Sequence, residues 1–451
     1  MNLSDQAQRP SRLPLLLVIG PGLMLAATGV GAGDLWTASF VGENLGVAVL
    51  WAVLLGAFFK FVLTEGLARW QLATGQTVLE GAVLRLGMPI RWIFLFYLLV
   101  WSVFVGSALA NACGATAGAM FAHFKDPGQT KLAWGVLHCV LGVVIVRSGG
   151  YRLFEKLMSV CIAIMFVTVV VTAVAVGPDW RAVLNGLLWP TIPQFDSGGF
   201  TWTVGLMGGV GGTLTVLCYG YWIREKNRTS AADLRVCRID LAVGYIMTAL
   251  FGISMVIIGS KVPTGEKGMT VLVVAGNILE QQFGGWARWM FLVGAWAAVF
   301  SSLLGVWQSV PYIFADFCNL AKLSRLKDGE QEILTEVSTD APPYRLYLVV
   351  LAVVSMFGLM FDFKQVQKYY AVLGAMFMPM LALVLLILNG QKQWVGARLR
   401  NRPATVIVLV ATLGFFTYYG WTQVSSKWNS SPVAVALPAD TPKLPIITPR
   451  D

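Results

Sequence analysis

Charge is what this sequence has least of. Of its 451 residues, 12% are Asp, Glu, Lys or Arg, about half the share in a typical soluble domain, which excludes a fold that faces water on all sides. Histidine is scarcer still: His123 and His138 are the only two, too few for a metal cage built from imidazoles. The six cysteines (Cys113, Cys139, Cys161, Cys218, Cys237 and Cys318) stand singly without CxxC spacing, so no disulfide framework is expected. No nucleophile–base pair stands out, so the reading expects no enzyme and no bound cofactor.

What is abundant is apolar. Hydrophobic residues make up 57% of the chain, with 17 Trp and 25 Phe, and the mean hydropathy is +0.69. These values predict an all-α polytopic membrane protein with interfacial aromatics. A cleavable leader is not expected: Met1 to Arg12 is polar, and the apolar run after it continues without a small-residue cleavage site. The net charge of +10 sits in short loops between apolar runs. That pattern is the positive-inside signal of a membrane protein, and nucleic acid is excluded as a partner in favour of the bilayer.

Runs long enough to span, at about 20 residues each, number about eleven. They fall near 14–46, 47–73, 90–122, 130–147, 152–177, 200–222, 238–261, 285–318, 345–361, 367–389 and 403–423. Residues 270–283 read as an amphipathic external helix, and 328–343 as the one long loop. Basic residues precede the first span (Arg9, Arg12) and fill the loops after the fourth, sixth, eighth and tenth spans. The bias puts the N-terminus in the cytoplasm and the Pro-rich tail 432–451 outside, in a bacterial-type plasma membrane.

Two spans carry an anomaly. The first contains Gly29-Val-Gly31-Ala-Gly33-Asp34, and the sixth contains Gly205-Leu-Met-Gly-Gly-Val-Gly-Gly-Thr213-Leu-Thr215. Glycine at that density weakens a helix, and an ionised side chain in mid-membrane is costly without compensation. Irregular backbone at membrane depth survives only where protein buries it or where it lines a cavity. Breaks five spans apart suit two five-span halves of opposite topology with a ligand held between them. The expected units are 1–178, 179–390 and an extra helix with tail, 391–451.

Several residues match a known family. Gly20-Pro21-Gly22, Trp36-Thr37, Gly42, Asn44 and Gly46 in the first span are one group. Leu67-Ala68-Arg69, Thr74-Gly75 and Glu80 look like the end of the second, Arg238-Ile239-Asp240-Leu241 opens the seventh, and Met378-Pro379 centres the tenth. The chain thereby resembles the natural resistance-associated macrophage protein (NRAMP) family of proton-coupled divalent-metal transporters. The resemblance implies an inverted five-plus-five repeat of the LeuT type plus an extra helix. It also exposes departures. The family's Asp-Pro-Gly-Asn metal motif meets Gly31-Ala32-Gly33-Asp34, and its Met-Pro-His meets Gly212-Thr213-Leu214. No carboxylate occurs between Trp101 and Ala117, and the tenth-span glutamine falls on Ala371.

These readings converge on a secondary-active transporter of a cation, most readily a divalent metal. Asp34, a preferred helix cap as well as a metal or proton ligand, heads the candidate site. Backbone carbonyls near Gly31 and Gly211, with Thr37, Thr213 and Thr215, complete it. Oxygen-only ligation favours a hard ion such as Mg²⁺. Glu65 and Asp240 are candidate gating or coupling groups, with Glu65–Arg69 also placed to pair on one helix face. Ser301, Ser302 and Gln308 suit cavity lining or helix–helix contact. Met376, Met378 and Met380 alternate over different helix faces. Two other functions fit the same breaks: a symporter for an amino acid or other small organic solute, and a membrane receptor that does not transport.

Overall fold

The computed structural model describes residues 20–121, 123–148, 150–195, 198–262, 270–323 and 338–429. The first basic residues, Arg9 and Arg12, most of the long loop and the tail 432–451 lie outside them.

Among the described residues the chain is helical, and the elements follow the apolar runs. The first span is split into Pro21–Gly29 and, after a π-helical turn Ala32–Thr37, Ala38–Leu45. The second to fifth spans are Leu50–Thr74, Met88–Met120, Pro127–Ser148 and Gly150–Ala175. The sixth is split into Gly199–Gly209 and Cys218–Glu225, joined by the 3-10 turn Leu214–Leu217. The seventh to eleventh are Leu234–Gly259, Gly285–Leu323, Pro342–Gly358, Phe363–Leu388 and Pro403–Asn429. Nine helices among the described residues are long and apolar enough to cross a membrane. One of these, Gly33–Thr74, runs from the back half of the first span through the second, and the 17-residue ninth falls just short of the length. Residues Thr270–Phe283 form a separate 14-residue helix, too short to span.

Local chemistry explains the helix ends. Gly75, at φ +73°, ends the second span in a left-handed cap. Thr77 and Glu80 then form a reciprocal capping box that starts the short helix Val78–Leu86. Asp362 caps the tenth span through the Gln365 N–H.

The broken spans lie innermost. Every residue from Thr203 to Gly220 is buried, and so is Pro21–Gly29 except Leu23. The seventh span packs against both halves of the first and against the second, while the eighth packs on the fifth, third and first. The fourth and eleventh are peripheral and expose Val144, Ile407 and Trp421. This gradient, from polar niche at the centre to apolar exterior, is that of an integral membrane protein.

One end of the bundle is tied by charge. Glu65 accepts from Arg238 at 2.6 and 2.9 Å and pairs with Arg69 at 3.3 Å. The helix-face pair expected from sequence therefore exists, but its shorter bonds reach across to the seventh span. Lys226 meets Glu155 at 2.6 Å and Arg224 meets Glu80 at 3.4 Å, fastening the basic loop after the sixth span to its neighbours. Arg238 is half-exposed but Arg69 is buried, so Glu65→Gln is expected to lower stability by more than the about 1 kcal/mol of a surface pair. A thermal unfolding midpoint measured with and without added salt checks this, and the loss should shrink as salt rises.

Candidate functional site

The two glycine tracts meet backbone to backbone. A Cβ on Gly29 would lie 2.5 Å from the carbonyl carbon of Gly211, and one on Gly33 would lie 2.7 Å from the Gly209 oxygen. This close approach is the tertiary reason for glycine in both tracts. Gly29→Val is expected to force the halves apart at about 1–3 kcal/mol or more. Fluorescence-detected gel filtration should show a lowered thermal midpoint, whereas an unchanged midpoint with full activity would mean the tracts do not touch.

The helical ladder lapses in each. In the first span Val30 N–H still reaches the Ala26 oxygen, and the ladder resumes with Leu35 N–H on the Gly31 oxygen at 3.0 Å. In the sixth, Val210 N–H closes on Leu206, after which Gly211 and Gly212 take φ of +73° and +83°. L-residues with side chains rarely adopt that region. The eighth span grips the end of the first half-helix: Ser301 and Ser302 hydroxyls donate to the Ala27 and Thr28 carbonyls. Helix–helix contact is thus what these serines make. A Cβ on Gly31 would strike Ser302, so Gly31 is a further point where the first and eighth spans touch.

Asp34 lies in the π-helical turn and is wholly buried. Its side chain does not cap its own restarting helix. Oδ2 instead accepts the Gly211 N–H, 177 residues away, at 2.9 Å. Oδ1 has no hydrogen-bond partner and faces the bare Cα of Gly252 in the seventh span, where an added Cβ would stand 3.5 Å away. Gly211 was expected to offer a carbonyl to the site; it offers its N–H, because the carboxylate is an acceptor only.

The sixth-span carbonyls go elsewhere. Lys60, midway along the second span and wholly buried, donates to the Gly208 oxygen at 2.7 Å and also to the Val210 and Gly212 oxygens. Its charge lies within electrostatic reach of Asp34. Lys60 was missed in the sequence, although a lysine inside Phe58-Phe59-Lys60-Phe61 is the kind of intramembrane charge that marks a working site.

The other candidates divide. Thr37 accepts from Gln367 Nε2 at 3.1 Å, so a tenth-span glutamine does reach the first span, one turn before the expected Ala371. Thr213 accepts from Trp101 Nε1 at 2.8 Å, which ties the sixth break to the third span. The Thr215 hydroxyl is buried without a partner, beside Gly212. Glu65 and Asp240 stand apart from the breaks. Asp240 takes the N–H groups of Gly20 and Gly22, the Tyr219 hydroxyl and Arg228, anchoring the start of the first span. Gln308 accepts from Trp222 Nε1. Met376 is exposed and Met378 buried, which fits alternation over different faces. Among the described residues no three of His, Cys, Asp or Glu gather as metal ligands.

Family comparison matches residues 22–424 to the natural resistance-associated macrophage protein-like family. The chain belongs to this NRAMP family. A Dictyostelium discoideum protein named metal transporter nramp1 homolog is 19% identical over 434 residues, 92% of this chain and 78% of that one. The divalent metal cation transporter MntH of Caldanaerobacter subterraneus is 21% identical over 294 residues, 64% of this chain and 68% of its own. Among solved structures, the Eremococcus coleocola manganese transporter, bound to an aromatic bis-isothiourea compound, superposes with a TM-score of 0.68. It is 17% identical and covers 96% of this chain and 93% of its own. MhsT in complex with L-phenylalanine superposes with a TM-score of 0.60 at 16% identity, over 90% and 98% of the two chains. The NRAMP chain therefore has the fold these transporters share, and it is a membrane transporter.

Proposed function

We propose that this NRAMP member is a secondary-active transporter that moves a cation, with a divalent metal as cargo class, by alternating access about Asp34. The observation that carries the reading is a wholly buried carboxylate between two broken spans with one oxygen, Oδ1, left unpartnered. A buried acceptor without a partner is costly, and a cation arriving there recovers that cost. The donors nearby are oxygens rather than sulfur or imidazole, which suits a hard ion such as Mg²⁺ over a soft one. The two halves, 1–178 and 179–390, would rock about this point. The loop charges orient the N-terminus toward the cytoplasm.

A second reading has its own support. With Lys60 close by, the site pairs one basic and one acidic side chain before cargo arrives. A near-neutral niche suits a zwitterion, whose amine would meet Asp34 Oδ1. Uptake into proteoliposomes separates the readings. Mg²⁺ or Mn²⁺ accumulation that labelled amino acids leave untouched supports the metal. Amino-acid uptake that survives chelation of divalent ions replaces it. Binding without accumulation, beside a working control carrier, would point to a receptor.

A further inference from the structure

We infer that the break in the sixth span builds a second cation seat, distinct from the Asp34 oxygen, made for a bare monovalent ion and filled from within by the Lys60 ammonium. The carbonyls of Gly208, Val210 and Gly212 lie two residues apart and converge on one Nζ. An ammonium has three N–H donors and no acceptor, and all three are used here by main chain from a single break.

The geometry is that of an ion site. The Gly208 carbonyl lies in the last turn of Gly199–Gly209, where the helix dipole is negative and carbonyls lack intrahelical partners. The positive φ of Gly211 and Gly212 bends the chain after Val210 so that the following carbonyl turns back to the same point. Rings of neutral carbonyl oxygens replace the hydration shell of a monovalent cation elsewhere in membrane proteins. Asp34, the one anion among the described residues whose charge acts on Lys60, balances one positive charge. An ammonium placed there merely for packing would carry a large desolvation penalty. Lys60 is therefore an ion on a tether. Its stem comes from the second span, so the seat joins that helix to the sixth-span break without a free ion from solution.

This inference goes beyond the proposed function and does not depend on which cargo is carried, because its test uses no cargo. Full-length wild type and Lys60→Ala are purified in detergent. Unfolding midpoints are then followed by fluorescence-detected gel filtration in NaCl, KCl and NH₄Cl against choline chloride at constant ionic strength. The wild type is expected to show the same midpoint in all four salts. Lys60→Ala is expected to unfold earlier in choline and to recover by at least about 3 °C, saturably, in at least one small cation. Should Lys60→Ala be too unstable to purify in choline, recovery of a monodisperse peak only in a small-cation salt is the same result. Lys60→Gln, whose amide still donates to the carbonyls but carries no charge and blocks the seat, is expected to fold and ignore the salts. The inference is overturned if Lys60→Ala behaves alike in every salt, folded or unfolded. It is equally overturned if the wild type itself responds to the small cations as strongly.

Discussion

Asp34→Asn is expected to abolish cation uptake while leaving a folded, inserted protein. The amide keeps an oxygen to accept the Gly211 N–H that Oδ2 now takes, so the contact between the two broken spans survives. What disappears is the negative charge facing Gly252. Losing even an indirect metal partner costs about 10–100-fold in affinity, and a ligating carboxylate should cost more. Uptake of Mg²⁺ and Mn²⁺ in proteoliposomes, measured beside the thermal midpoint, checks both halves of the statement. Wild-type uptake by Asp34→Asn would remove the proposed seat altogether. Gly252→Ala leaves the charge in place, but its methyl would stand 2.9 Å from Val53 Cγ1 as well as 3.5 Å from Oδ1, so it narrows the space only by shifting the second span's Val53 side chain.

Asp240→Asn should act on the other axis, stability. The carboxylate is wholly buried and accepts from Arg228 at 2.9 Å, Tyr219 at 3.0 Å, and the Gly20 and Gly22 N–H groups. Neutralising it removes the carboxylate charge to which Arg228, with a side chain 8% exposed, is paired. Breaking such a pair by removing one partner costs about 3–5 kcal/mol. It also frees the opening turn of the first span, whose N–H groups favour a negative partner. A matched Asp240→Asn and Arg228→Met double variant should recover part of the loss, because the arginine charge is then gone as well. A shift below about 1 kcal/mol for Asp240→Asn alone would show that the cluster does not hold the first span.

The spans were legible because each helix must satisfy its own backbone within one segment in lipid, so twenty apolar residues announce it locally. Both breaks were legible for a related reason: glycine density lowers helix stability wherever it occurs. Asp34 was legible as an unusual charge in such a tract. Its role was not, since capping its own helix and reaching Gly211 are equally open to an aspartate in sequence. Gln367 escaped because alignment to the family pattern placed the glutamine at Ala371, one helical turn away on the same face. Lys60 carries a local signal, an amine among Phe58, Phe59 and Phe61, but nothing in the sequence says which carbonyls it meets.

The order of spans, the two weakened helices and the carboxylate between them were set by local propensity and hydropathy, both written residue by residue. Which oxygens serve which charge was not. Lys60 finds its carbonyls 148 to 152 residues away and Asp34 its amide 177 away. Hydrogen bonds between such distant groups exist only once packing brings two breaks within contact, and packing is a property of the assembled bundle.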